Sequence, residues 1–209
     1  MTPLPSQLTP VLPWLDLFGI AVFAASGALA ATQRAQTFVT AAFFALVTGV
    51  GGGSVRDLLI GAPVFWVHDP VVAVVCLGAA ALIWTTPQDW WAGEALDWLD
   101  AVGLAVYAVF GAAKALDLGV PPVPAALMGV VTACVGGIIR DVLAGEPSIL
   151  MRPELYVTAA ALAAGSYVAL SLAGLPVFVT AIIAASAGFS LRAAAIRWKL
   201  RLPSYRGRR

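Results

Sequence analysis

Charge is scarce in this chain. Asp, Glu, Lys and Arg make up 11% of its 209 residues, where a soluble domain carries about 25%. That excludes an ordinary water-soluble globule. The apolar residues, 61% of the total, fall in long blocks rather than at a period of 3.6 or 2, and the mean hydropathy is +0.92. This is the pattern of a polytopic membrane protein. A net charge of +1, with no basic face before the last few residues, argues against a nucleic-acid partner. Cysteine is equally sparse. Cys76 and Cys134 lie inside apolar segments, without metal-ligand spacing or a disulfide framework, and read as packing residues. The single histidine, His68, sits in the loop Trp66–Pro70 and reads as a solvated turn residue. No metal cluster, phosphate loop or activated nucleophile stands out, so neither an enzyme nor a bound cofactor is expected. Basic residues are missing ahead of Arg34, and Asp16 interrupts the first apolar block. A secretory leader needs a positive start, so the first span is expected to be retained.

Spans of about 20 apolar residues cross a bilayer. Divided on that length, the chain reads as one all-α transmembrane domain over residues 1–209. Seven helices are expected near Trp14–Thr32, Thr37–Ile60, Pro70–Thr85, Trp98–Leu116, Pro122–Ala144, Glu154–Leu172 and Pro176–Ala195. Pro3, Pro5, Pro10 and Pro13 should keep the first dozen residues out of a helix. Gly61 with Pro63, and Gly145 with Pro147, supply the stop signals of the second and fifth helices. All seven tryptophans lie at or just beyond a span end, where an aromatic belt belongs.

Adding 84 to a residue number lays the first half of the chain on the second. Asp16 then falls on Asp100, Gly27 on Gly111, Thr48 on Thr132, Gly52-Gly53 on Gly136-Gly137, and Arg56-Asp57 on Arg140-Asp141. Between Asp16 and Pro63 about 20 of about 48 positions are identical, without a gap. Repeat one covers about 14–85 and repeat two about 98–172. Each contains three spans, an odd number, so the second copy enters the membrane from the opposite side. The result is an inverted repeat with a pseudo-two-fold axis in the membrane plane. A seventh helix, about 176–196, and a basic tail, 197–209, are additions. Arg34, Arg152 and the tail fall on one side, and only Lys114 on the other. The positive-inside rule therefore puts the C-terminus in the cytoplasm and the N-terminus outside a plasma (inner) membrane, with the tail as a topology anchor at the lipid surface.

The duplicated stretches Gly51-Gly52-Gly53-Ser54-Val55-Arg56-Asp57 and Gly136-Gly137-Ile138-Ile139-Arg140-Asp141 carry the candidate chemistry. Glycine costs a helix about 1 kcal/mol relative to alanine, and an intramembrane Arg or Asp roughly 2.5–3.5 kcal/mol. Gly51, Gly52, Gly53, Gly136 and Gly137 are expected to bend or unwind their helices, or to admit a close neighbour. On the first reading a second half-helix begins near Ser54, with free N–H groups and a positive dipole end. Adjacent helical residues point about 100° apart, so Arg56 and Asp57 are not expected to neutralise each other. Same-side partners are Asp16 for Arg56 and Asp100 for Arg140. Asp57 and Asp141 would then have no dedicated cation and would attract one. Thr48, Ser54 and Thr132 offer hydroxyls at similar depth, or bond back to their own helices. Lys114 reads as a vestibule partner of Asp117 or a snorkelling end residue.

With GGGSVRDLLIGAP in the second span, GGIIRDVLAGEP in the fifth and a three-plus-three-plus-one layout, the chain resembles the trimeric intracellular cation (TRIC) channels. The resemblance is to the bacterial and archaeal members, some of them labelled as glycine transporters. It implies a homotrimer with one pore in each protomer, lined by glycine-kinked second and fifth helices and passing potassium or sodium. By position it makes Gly51, Gly52, Gly53, Gly136 and Gly137 hinges, and places Arg56, Asp57, Arg140 and Asp141 near the pore. Animal members carry a Lys-Glu pair about where Gly136-Gly137 stand, so their phosphoinositide dependence does not transfer. Two functions stay open, a passive monovalent-cation channel and a secondary transporter of a small solute such as glycine. A non-conducting scaffold accounts for the helices but not for the duplicated motif.

Overall fold

Repetition at the sequence level appears in space as two interlocked helix trios. The computed structural model describes residues 12–203, in seven helices. They are α1 (Leu12–Gln33), α2 (Phe38–Ile60), α3 (Pro70–Thr85), α4 (Ala95–Asp117), α5 (Pro122–Ala144), α6 (Val157–Leu172) and α7 (Val177–Trp198). Single 3₁₀ turns at Gln88–Trp91 and Ile149–Met151 precede α4 and α6. α1, α2, α4, α5 and α7 are long and apolar enough to cross a membrane, while α3 and α6 are shorter apolar helices of 16 residues each. Sixteen residues span about 24 Å, short of the roughly 30 Å hydrocarbon layer.

The helix ends follow the capping chemistry. Gly61 and Gly145 adopt φ of 70° and 69°, and each donates its N–H back into the last turn of α2 or α5. A Cβ is disfavoured in that conformation. Asp69 caps α3, accepting from the Val71 N–H at 2.9 Å. α1 begins at Leu12, so Pro13 lies in its first turn, where a missing N–H costs nothing; Pro3, Pro5 and Pro10 lie outside the described residues. α6 starts three residues later than expected, because Glu154–Tyr156 are drawn into contacts with α7 and its tail.

α1 packs against α2, α3 and α4, and α4 against α5, α6 and α7. α2 crosses α5 at the centre, and there the two-fold is visible atom by atom. A Cβ on Gly136 would lie 2.6 Å from the Thr48 carbonyl oxygen, and a Cβ on Gly52 would collide still harder with that of Thr132. These two contacts map onto each other under the shift of 84.

This crossing corrects one expectation. α2 and α5 run as uninterrupted α-helix through Gly51–Gly53 and Gly136–Gly137, and no half-helix begins at Ser54. The Ser54 hydroxyl donates to the Val50 carbonyl at 2.8 Å, inside a continuous turn. The missing Cβ serves backbone-to-backbone approach. Gly51 faces Ile139 and Gly53 the Phe65 ring, so Gly51, Gly52 and Gly53 all meet protein.

Candidate functional site

Two charge centres flank the α2–α5 crossing. In the first, Arg56 is fully buried and folds back on its neighbour. Its Nε donates to Asp57 Oδ1 at 2.9 Å, and its Nη2 lies 2.8 Å from the same oxygen. The rest of the guanidinium stacks near Phe110 (5.1 Å to the ring centroid) and Phe65 (5.9 Å), which supply a cation–π surface. Asp57 Oδ2 accepts the Phe65 main-chain N–H at 3.1 Å. Lys114, arriving from α4, grips both carboxylate oxygens, at 2.9 Å and 3.1 Å.

The second centre repeats this design with one change. Arg140 donates from Nε (3.0 Å) and Nη2 (2.8 Å) to Asp141 Oδ1, and Asp141 Oδ2 accepts the Ile149 N–H at 2.8 Å. Both aspartates thus clamp a main-chain N–H eight residues on, tying the loop after the helix to its last turns. Arg140 Nη1 reaches Asp100 Oδ1 at 2.6 Å and the Ser26 hydroxyl at 3.2 Å. Ser26 and Phe110 are equivalent positions of the two repeats, so each arginine touches the same point on the other repeat's first helix. The Tyr156 hydroxyl and Asp100 Oδ2 are buried without a hydrogen-bond partner among the described residues.

Of the expected partners, Asp100 lies on Arg140. Asp16 does not pair with Arg56, and its Oδ1 is buried without a partner among the described residues. The expectation that adjacent Arg and Asp ignore each other is overturned in both repeats, because the long arginine side chain curls back along its own turn. Asp57 and Asp141 are therefore not free of cations. Lys114 pairs with Asp57 rather than Asp117, since α4 crosses beside α2. Thr132 and Ser54 bond back to Met128 and Val50, and Ser54 also accepts the Trp66 indole N–H at 2.9 Å. Thr48 Oγ1, at the crossing, has no partner among the described residues. His68 is an exposed turn residue and the two cysteines are buried and free.

A further buried arginine carries no signal in the sequence. Arg192 on α7 is fully buried, bonded to Glu154 Oε2 at 2.8 Å, and stacked on the Tyr156 ring. Arg192 lies in the seventh helix just ahead of the basic tail, and only its helical phase, facing α6, marks it as buried. Arg34–Glu146 and Arg152–Asp97 pairs lie at the same end of the bundle. Among the described residues no group of three His, Cys, Asp or Glu side chains suits a metal.

A family model described as glycine transporter matches the chain twice, over residues 13–88 and 97–172. The two stretches are offset by the same 84 residues as the repeat. Over 91% of this chain and 99% of the other, the fold matches a crystal structure of the TRIC trimeric intracellular cation channel orthologue from Rhodobacter sphaeroides, at 43% identity and a TM-score of 0.86. The chain belongs to the prokaryotic TRIC family. A second TRIC structure, described in terms of conductance through TRIC cation channels, matches at 26% identity and a TM-score of 0.82, over 94% of this chain and 98% of that one. Among curated relatives, the UPF0126 inner membrane protein YadS of Escherichia coli is 39% identical, covering 92% of this chain and 95% of its own length. A UPF0126 membrane protein of Vibrio cholerae is 36% identical, over 94% and 84%. These TRIC relatives and the apolar helices make the chain a multi-pass inner membrane protein with the inverted three-plus-three fold and one added helix.

Proposed function

We propose that the protein is a passive channel for monovalent cations, potassium or sodium as the resemblance implies, with the path inside each protomer along α2 and α5. The reading is carried by near full-length likeness, at 43% identity, to a protein described as a TRIC cation channel. Chemistry is consistent with it. Two buried centres sit on α2 and α5, and intramembrane charges of this kind mark ion pathways more often than packing. The glycines lend no support in this conformation, because they are packed against protein. We therefore read the α2–α5 crossing as shut, so that conduction requires these helices to separate at Gly52 and Gly136. The assembly is a homotrimer, as in the relative described as trimeric, with the N-terminus outside and the basic tail cytoplasmic.

A second reading, secondary transport of a small solute such as glycine, is favoured by the description of the matching family model. Proteoliposome flux separates the two. A channel collapses a potassium gradient at a rate linear in concentration, whereas a transporter gives saturable uptake of labelled glycine. Saturable glycine uptake without potassium leak would reverse the order of preference.

A further inference from the structure

The two aspartates are held alike, each by the preceding arginine and by an N–H eight residues on. They differ in the second cation. Asp57 is chelated by the Lys114 ammonium. The shift of 84 carries Lys114 onto Ala30 of α1, whose side chain ends at Cβ. Ala30 is buried in a small apolar cluster against which Ala144, one turn beyond Asp141, packs. Charge is unequal as well. The first centre sets Arg56 and Lys114 against Asp57, with Asp16 near but in no ion pair. The second divides one guanidinium, Arg140, between Asp100 and Asp141, leaving an excess of one negative charge. The surrounding Arg34–Glu146, Arg152–Asp97 and Arg192–Glu154 pairs balance themselves and contribute no spare cation. Burying an unpaired charge is unfavourable, so this centre attracts a further cation.

We propose that Asp141 is a binding site for a monovalent cation of potassium size, seated where the two-fold image of the Lys114 ammonium falls. An ammonium group and a potassium ion are similar in size and charge. An ammonium held by both oxygens of Asp57 therefore marks the position at which the matching carboxylate takes a free ion. The Asp141 side chain is 8% exposed and that of Asp57 not at all, so Asp141 is the one a diffusing ion reaches. The inference rests on the channel reading only for its choice of ion.

The test is thermal unfolding of the full-length protein in detergent, in potassium chloride against choline chloride at equal ionic strength. The melting temperature of the wild type is expected to rise with the logarithm of potassium concentration. Ala30→Lys should supply a tethered ammonium, melt higher than wild type in choline, and lose the potassium response. Lys114→Ala should expose a second carboxylate and respond more steeply than wild type, and it decides the matter if Ala30→Lys fails to fold. Equal melting of the wild type in potassium and choline would overturn the site. So would an unchanged potassium response in Ala30→Lys, or no steeper response in Lys114→Ala. The channel reading fails separately: potassium-dependent melting without any conductance would sink that reading and leave the site standing.

Discussion

Gly136→Ala tests the helix crossing with one carbon atom. The added Cβ would sit 2.6 Å from the Thr48 carbonyl oxygen, where ordinary contact begins at 3.4 Å, so α2 and α5 must part by about 0.8 Å. The obstacle is main chain and cannot rotate away. Overpacking of this kind costs about 1–3 kcal/mol and occasionally more. Alanine returns up to about 1 kcal/mol through helix propensity. The net effect should be a loss of roughly 1–2 kcal/mol for Gly136→Ala, and more for Gly52→Ala, whose Cβ collides more closely with the Thr132 carbonyl. Gly78 serves as the control. A Cβ there meets nothing within 4 Å on α3, so Gly78→Ala should be neutral or stabilising by up to about 1 kcal/mol. Thermal melts of the purified variants in detergent check the order. Wild-type stability in Gly52→Ala, or a loss in Gly78→Ala equal to that at the crossing, would refute the reasoning.

The charge centres yield three further expectations. Asp100→Asn takes one partner from the buried Arg140 and should cost up to about 3–5 kcal/mol, whereas Asp16→Asn, which breaks no ion pair, should cost under about 1 kcal/mol; comparing the melts of the two variants checks this. Asp57→Asn strands both Arg56 and Lys114 and should destabilise more than Lys114→Met, because Lys114 is 24% exposed and can be rehydrated; urea or thermal unfolding ranks the pair. Glu154→Gln and Arg192→Met should show coupling in a double-mutant cycle of at least about 0.5 kcal/mol, and simple additivity would dismiss the tie between α7 and the segment ahead of α6.

The layout of helices was legible because it depends on span length and on the repeat. Asp16 on Asp100 and Arg56-Asp57 on Arg140-Asp141 were enough to give the inverted trios without any contact information. The Asp100–Arg140 pairing was also within reach, since both residues sit at the same end of neighbouring helices. What the glycines do was not. Loss of Cβ equally permits a broken helix and a close crossing, and only the position of the Thr48 and Thr132 carbonyls decides for the crossing. Lys114 on Asp57 was hidden for a related reason: 57 residues separate them, and their meeting depends on how α4 lies beside α2. The Arg56–Asp57 fold-back does not follow from the directions of the Cβ atoms, because it depends on the reach of the guanidinium back along its own turn.

The central claim is that cations pass through this protein passively, and single-channel recording tests it most directly. Purified protein in a planar bilayer under a potassium chloride gradient should give unitary current steps whose reversal potential lies towards the potassium equilibrium potential. A reversal towards the chloride potential, or a silent bilayer from protein that takes up glycine saturably in liposomes, would contradict the account.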